Sequence, residues 1–333
     1  MSLVSEFDNL DFQKRDEILN DLTIRIDPGK FGQYVRALNS FVLIGERPSR
    51  NIVTPFSYAV CNLKLPRRSR SDVAESSAHF GISLREKQIE VRKEALSILN
   101  KTGSCVLSLH CGFGKTVLAT NMSCKIKLRT LILVNKVVLL KQWEESIKKS
   151  CPGCKVYCML PSKKNICEDA DFYIANAVNI PKFYDTEVGR TVLDSIGTVI
   201  VDECHLIMAE TLVQSLLHVT PRYLIGLSAT PYRSDSFDQL IDLYFGTERI
   251  VRKLYREHTI YKVNSGFKPD IQLTGSGTLN WGSILDSQAR DDSRNGLIVD
   301  IIDRDSSRTF LVLVKRIVQG ETLLQMLKDR NIS

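Results

Sequence analysis

Short apolar runs and helical stripes alternate along the middle of the chain. The runs at 105–109, 131–134, 172–175, 199–201 and 224–227 are apolar at nearly every position. Strands that are apolar on both faces belong to a parallel sheet covered by helices on either side. Between the runs lie stripes at helical spacing, such as Leu140, Trp143 and Ile147, with lysine and glutamate on the opposite face. The alternation runs from Leu84 to about Tyr261 and predicts an α/β lobe built on a doubly wound parallel sheet.

The flanking regions follow other patterns. In residues 1–80, apolar positions at Phe41, Val42, Leu43 and Ile44, then at Ile52, Val53 and 56–60, predict short strands. Turns at Asp27-Pro28-Gly29 and Arg47-Pro48 separate them, so a small α+β section is expected. It closes on Lys64, Arg67, Arg68 and Arg70, a basic run read first as a solvated surface loop and second as a phosphate-backbone contact. Residues 262–285 include GSGTLNWGS and read as a connector. Residues 286–333 then predict a helix around 294–302, a strand at 310–314 and a helix through Leu327. The expected organisation is an accessory section at 1–80, a lobe at 81–261, the connector, and a final section at 286–333.

Composition narrows the class without deciding it. A length of 333 residues suggests about two domains. Hydrophobic content of 43% and charged content of 25% are ordinary for globular proteins. The net charge of +7 permits a nucleic-acid partner and does not demand one. No apolar run approaches the roughly 18 residues of a spanning helix. The opening MSLVSEFDNLDFQKRDE has no apolar core of a secretory signal, so an intracellular, non-membrane protein is expected. Nine cysteines scattered through apparent core strands point to reduced thiols. Cys151-x-x-Cys154 with Cys158 and Cys167 has a partial metal-ligand look, but 155–157 reads as a strand. Ordinary reduced cysteines are the favoured reading over structural zinc. Trp143 is read as core packing rather than a base-stacking platform.

Candidate chemistry lies at the ends of two strands. The run 105–109 leads into His110-Cys111-Gly112-Phe113-Gly114-Lys115-Thr116 and then into a helical segment at 117–127. Strand, glycine-bearing loop and helix start are the context of a phosphate-binding P-loop. Glycines let backbone N–H groups close around phosphate oxygens, and the helix N-terminus adds its positive dipole end. Lys115 would reach the β- and γ-phosphates of ATP, and the Thr116 hydroxyl would ligate magnesium. Leu109 stands where the strict pattern has its first glycine, and Cys111 is read as a tolerated small residue. The run 199–201 ends in Asp202 and Glu203. Carboxylates at the C-terminal end of a parallel strand face the crevice where ligands bind. Asp202 is placed to hold magnesium and Glu203 to orient or deprotonate an attacking water.

Asp202-Glu203-Cys204-His205 resembles the DExH box of superfamily 2 helicases, and Leu227-Ser228-Ala229-Thr230-Pro231 resembles their SAT motif. That family tolerates loss of the first P-loop glycine. Leu84-Arg85-x-x-Gln88 is similar to its adenine-side signature, which implies that Gln88 meets the base edge. Leu140-x-Gln142-Trp143, the stretch Ala229-Thr230-Pro231-Tyr232-Arg233-x-Asp235 and Leu243-Tyr244-Phe245-Gly246 resemble the branch of XPB, phage UvsW and poxvirus transcript-release helicases. The region from Arg294-Asn295 to Lys315-Arg316 resembles the second-lobe entry in helicases of large DNA viruses.

The resemblance implies a RecA-like ATP-binding lobe followed by the start of a second RecA-like lobe, an ATP hydrolase using ATP and magnesium. It implies that His205, Ser228, Ala229 and Thr230 couple the nucleotide to a strand-binding surface. Asn135, Lys136 and Asn176 are then candidate phosphate contacts to nucleic acid, with DNA favoured over RNA. Residues 286–333 are too few for a second lobe of on the order of 150 residues, and no QxxGRxxR segment supplies an arginine for the transferring phosphate. The chain is therefore expected to be truncated or to work with a complementary second-lobe chain, with slight turnover alone. Two functions stand: a helicase or translocase, and a nucleotide-dependent nucleic-acid-binding module without turnover by itself. A small-molecule P-loop kinase is disfavoured, because it has no use for the DECH and SAT motifs together.

Overall fold

Alternate residues of an extended strand point to opposite faces, and here both faces find apolar partners. The computed structural model describes residues 2–26, 36–162, 166–207, 217–229, 238–255, 257–305 and 307–332. They fall into two compact units, Met1–Tyr255 and Arg256–Ser333.

The first unit opens with β1 (Ser2–Glu6), helix α1 (Phe12–Asp21), β2 (Thr23–Ile26), β3 (Arg36–Asn39), β4 (Val42–Ile44) and β5 (Asn51–Pro55). They form an antiparallel sheet ordered β1-β5-β4 and a β2-β3 pair. Phe7, Ile18, Leu22, Ile52 and Tyr58 fill the core of this section. The turn at 27–29 lies outside the described residues. Residues 56–60 depart from expectation, because Phe56–Cys61 is a helix, α2, rather than a strand. Pro55 lacks the N–H that would continue a ladder. Phe56, Ser57, Tyr58 and Ala59 are all buried, and a short run apolar on every side carries no period to separate helix from strand.

The basic run also differs from both readings given to it. Arg67 donates to the carbonyls of Leu99 (2.9 Å) and Asn100 (3.0 Å), at the C-terminal end of α3 (Glu86–Thr102). Arg68 donates to the carbonyls of Asp194 (2.7 Å) and Thr220 (3.1 Å), and Arg70 to that of Ile126 (3.1 Å). These guanidinium groups pin the segment across the lobe. Their forked donors match converging carbonyls, which no local pattern announces.

The lobe holds β6 (Ser104–Leu109), β7 (Thr130–Val134), β8 (Val156–Met159), β9 (Phe172–Asn176), β10 (Thr198–Val201), β11 (Tyr223–Ser228) and β12 (Arg249–Arg252). They build one seven-stranded sheet in the order β12-β6-β11-β10-β7-β9-β8, and every pair is parallel. Leu107, Ile132, Ile174, Ile200 and Ile225 face one layer with Leu99, Met122, Trp143 and Ile147. That layer is α3, α4 (Lys115–Ile126) and α5 (Val137–Ser150). Val106, Leu131, Leu133, Val199 and Leu224 face the other, with Phe56, Phe183, Leu193, Tyr244 and Phe245. This is the doubly wound α/β fold of a RecA-like lobe. The edge strand β12 has no counterpart among the expected runs, since Arg249 and Arg252 at its ends hide a strand signal.

In the second unit, Asn280 caps helix Trp281–Arg290 and Asp291 caps helix Asp292–Arg304. The first of these begins inside the stretch read as a connector. Helix Ile317–Asp329 packs with them around Val299, Ile302 and Leu323. A buried amide pair, Gln319 donating to Asn295 at 3.1 Å, joins the last two helices. Residues 310–314, expected as a strand, carry no ladder among the described residues. A strand needs a neighbour to bond. Leu311 and Leu313 stand 85% and 86% exposed.

Candidate functional site

In a parallel sheet all strands end on the same edge, so the candidate residues gather there. Register pairs Val201 with Leu133 and with Gly226, Val134 with Asn176, and Ser228 with Ser108. The glycine loop after β6 and the two carboxylates after β10 are separated by β11 alone.

The loop from His110 to Gly114 joins β6 to α4. Gly112 and Gly114 have φ of +77° and +88°, a region that costs other residues strain. At Gly114 space matters as well, since a Cβ would lie 2.6 Å from the Gln88 side-chain nitrogen. Phe113 is buried and meets the His110 ring edge-on at 5.4 Å. Lys115 Nζ donates to the Leu109 carbonyl at 3.3 Å, and Thr116 follows at the first turn of α4. Cys111 is exposed on the loop.

Gln88 is buried behind this loop. Its Nε2 donates to the Phe113 carbonyl at 2.9 Å, and its Oε1 accepts from Arg85 N at 2.9 Å. Arg85 Nη2 also donates to the Phe113 carbonyl and to that of Gly112. Both side chains therefore brace the glycine loop. Arg85 was visible within its short motif, but the bracing role had no signal in the sequence.

At the end of β10, Asp202 N donates to the Leu133 carbonyl at 2.9 Å. The Asp202 carboxylate accepts from Glu203 N at Oδ1 (3.0 Å) and from the Trp143 indole Nε1 at Oδ2 (2.7 Å). Glu203 has φ of +45°, a left-handed backbone that a non-glycine residue adopts under strain. Its Oε2 lies 3.5 Å from His205 Nδ1, and that nitrogen lies 2.8 Å from Ser228 Oγ. The DECH turn and the end of β11 are thus in hydrogen-bond contact. Ala229 follows Ser228, while Thr230 and the stretch 231–235 lie outside the described residues.

The strand-edge residues divide in two. Lys136 is exposed and Asn135 partly so, just before α5, whose first residues Val137 and Val138 are exposed as well. Asn176 is buried, and its Oδ1 accepts from Val178 N at 3.3 Å, closing the turn after β9.

The cysteines do not converge. Cys151 Sγ lies 3.4 Å from Cys124 Sγ, Cys158 Sγ lies 3.4 Å from a Glu144 oxygen, and Cys167 is exposed. Burial pushes the thiols of Cys105 and Cys204 up to about 12 and that of Cys154 up to about 11, so these sulfurs stay protonated at neutral pH. Among the described residues no group of three or more His, Cys, Asp or Glu side chains could hold a metal ion. Among them also, no helix is long and apolar enough to cross a membrane.

A parallel sheet with a glycine loop after β6 and paired carboxylates after β10, with β11 between them, defines a RecA-like α/β lobe. The family model described as "Type III restriction enzyme, res subunit" matches residues 81–233. The chain is 46% identical over 275 residues to "Putative helicase 161L" of Invertebrate iridescent virus 6, covering 81% of this chain and 61% of that protein. It is 43% identical over 233 residues to "Putative helicase 109L" of Invertebrate iridescent virus 3, covering 67% of this chain and 70% of that protein. Among solved structures, the UvsW helicase from bacteriophage T4 is 12% identical with a TM-score of 0.48, over 74% of this chain and 98% of that one. The chain belongs to the superfamily 2 helicases, with these proteins of large DNA viruses. XPB subunits and the fowlpox transcript termination protein A18 match it at 27–29% identity over about half its length.

Proposed function

We propose that residues 81–261 are the ATP-binding lobe of a motor that couples ATP hydrolysis to movement on nucleic acid, DNA in preference to RNA. Residues 1–80 would be an accessory section of that motor. The observation that carries this reading is the sharing of one sheet edge by the glycine loop, the carboxylate pair and the His205–Ser228 contact, at 2.8 Å.

The donor set fits magnesium and a nucleoside triphosphate. Left-handed glycines and the N-terminus of α4 suit an anion, and a hard cation prefers the hydroxyl and carboxylate oxygens of Thr116 and Asp202. When bound, magnesium would be held by Thr116 and Asp202 and would supply positive charge to offset that of the phosphates. Lys115 would leave the Leu109 carbonyl for the β- and γ-phosphates. The Glu203 carboxylate would orient the attacking water and take its proton. The His205–Ser228 contact would carry the nucleotide state toward the strand edge, where Asn135 and Lys136 would meet the phosphate backbone; Asn176, expected beside them, is buried and holds the turn after β9 instead. Gln88 would read the adenine edge with the amide capacity it has left beyond its loop contacts.

The test is binding of a fluorescent ATP analogue to folded variants, with phosphate release measured beside it. Lys115→Ala should weaken binding by about tenfold or more, the value of one lost charge-assisted contact. Glu203→Gln should bind like the parent chain and release no phosphate above background, with or without DNA or RNA. Unchanged affinity in a folded Lys115→Ala protein would overturn the assignment.

A further inference from the structure

Trp143 belongs to the apolar stripe of α5 and is 2% exposed. Packing accounts for its ring. Its single polar atom has a more specific partner. Indole N–H is a donor only, and a buried one needs an acceptor. In this fold that acceptor is Asp202 Oδ2, at 2.7 Å and 59 positions along the chain.

We propose that Trp143 is a positioning residue that sets the orientation of Asp202 for its metal. This rests on the reading of Asp202 as the magnesium ligand. Asp202 otherwise stands on a short turn after β10, beside the left-handed Glu203, and its carboxylate could rotate. Glu203 N holds Oδ1 at 3.0 Å and the indole holds Oδ2, so both oxygens are located before any cation arrives. Each oxygen keeps a second lone pair for a cation or its bound water. The indole suits this role better than a hydroxyl. It has no rotor, it cannot accept in place of donating, and its ring is wedged between α5 and the sheet. A donor fixed by packing orients a ligand oxygen at no further entropic cost when the metal binds. Lys136 lies seven positions before Trp143, so the helix that begins at the strand edge also carries this donor.

Trp143→Phe keeps the ring and removes only the N–H. The magnesium concentration that half-saturates binding of a fluorescent ATP analogue should rise by about 10- to 100-fold, as for other partners that orient a metal ligand. Affinity for the analogue at saturating magnesium should stay within about twofold, which a merely structural loss would not spare. Asp202→Asn is run beside it. If Asp202→Asn raises the magnesium requirement and folded Trp143→Phe does not, the positioning role is wrong while the functional reading survives. If neither changes it, Asp202 is not the magnesium ligand and both fall. A second measurement leaves Trp143 in place. The chain has two tryptophans, and Trp281 is exposed, so nitrogen-15 labelling of tryptophan gives one indole N–H resonance for each. Both Asp202→Asn and magnesium with the analogue should move the Trp143 resonance and leave that of Trp281 in place. A Trp143 resonance indifferent to Asp202→Asn overturns the proposal whatever the Phe variant does.

Discussion

Asp8 and Arg50 are 42 positions apart and meet as a forked ion pair in the N-terminal section. Arg50 reaches Asp8 with its backbone N at 2.9 Å and its Nη2 at 2.8 Å. The side-chain hydrogen bond from Arg50, then the backbone one, hold the Asp8 carboxyl down to about 2. A carboxyl depressed in the folded state stabilises it at pH values above the unfolded pKa, about 4. That contribution is lost as pH falls from there toward 2. Asp8→Asn should therefore melt at a lower temperature than the parent chain near neutral pH, and the two curves should converge on acidification through this window. Circular dichroism melts along a pH series decide it; a gap of constant size down to pH 2 would refute the account. Neither partner lies in a motif. Glycines at 112 and 114 are the opposite case, since the left-handed backbone they adopt is announced by residue type alone.

The basic run is the element whose role changed most. Read as a loop, Arg67 should be free to exchange for any polar residue. In the fold it is a second donor to the Leu99 carbonyl, which already accepts from Gly103 N at the end of α3 (2.9 Å). Burial lowers its pKa, and its guanidinium also sits 5.4 Å from the Tyr223 ring centre. Arg67→Met keeps the apolar stem and removes both donors, leaving the Asn100 carbonyl without this partner. The expected loss is about 1–3 kcal/mol, read as a lower midpoint of urea unfolding with unchanged slope. An unchanged midpoint would return the run to the status of a solvated loop. Helix α2 teaches the same lesson, since Phe56 to Ala59 are helical because they are enclosed, not because they repeat.

At the scale of the molecule, one sheet edge collects groups scattered from Gln88 to Ser228. If that edge tracks a phosphate backbone, binding should be independent of sequence and fall steeply with salt, because neutralised phosphates release counterions. Anisotropy with several unrelated oligonucleotides over a salt series measures both. Lys136→Ala should weaken all of them alike and flatten the salt slope by about one unit. A strong preference for one oligonucleotide, or a flat salt response, would count against the edge as the track.

What the sequence determined by itself is what neighbours along the chain can encode. Six sheet strands, the glycine loop and the carboxylate pair were legible because apolar runs, glycines and adjacent acids are local. The tertiary structure alone decided which strands adjoin, and so that β11 separates the loop from the carboxylates. It also decided that β12 joins at the edge, that Arg67 meets Leu99, and that the Trp143 indole meets Asp202. Those contacts join residues from 32 to 59 or more positions apart. Their energy comes from a partner that exists only after folding, so no spacing in the chain records it.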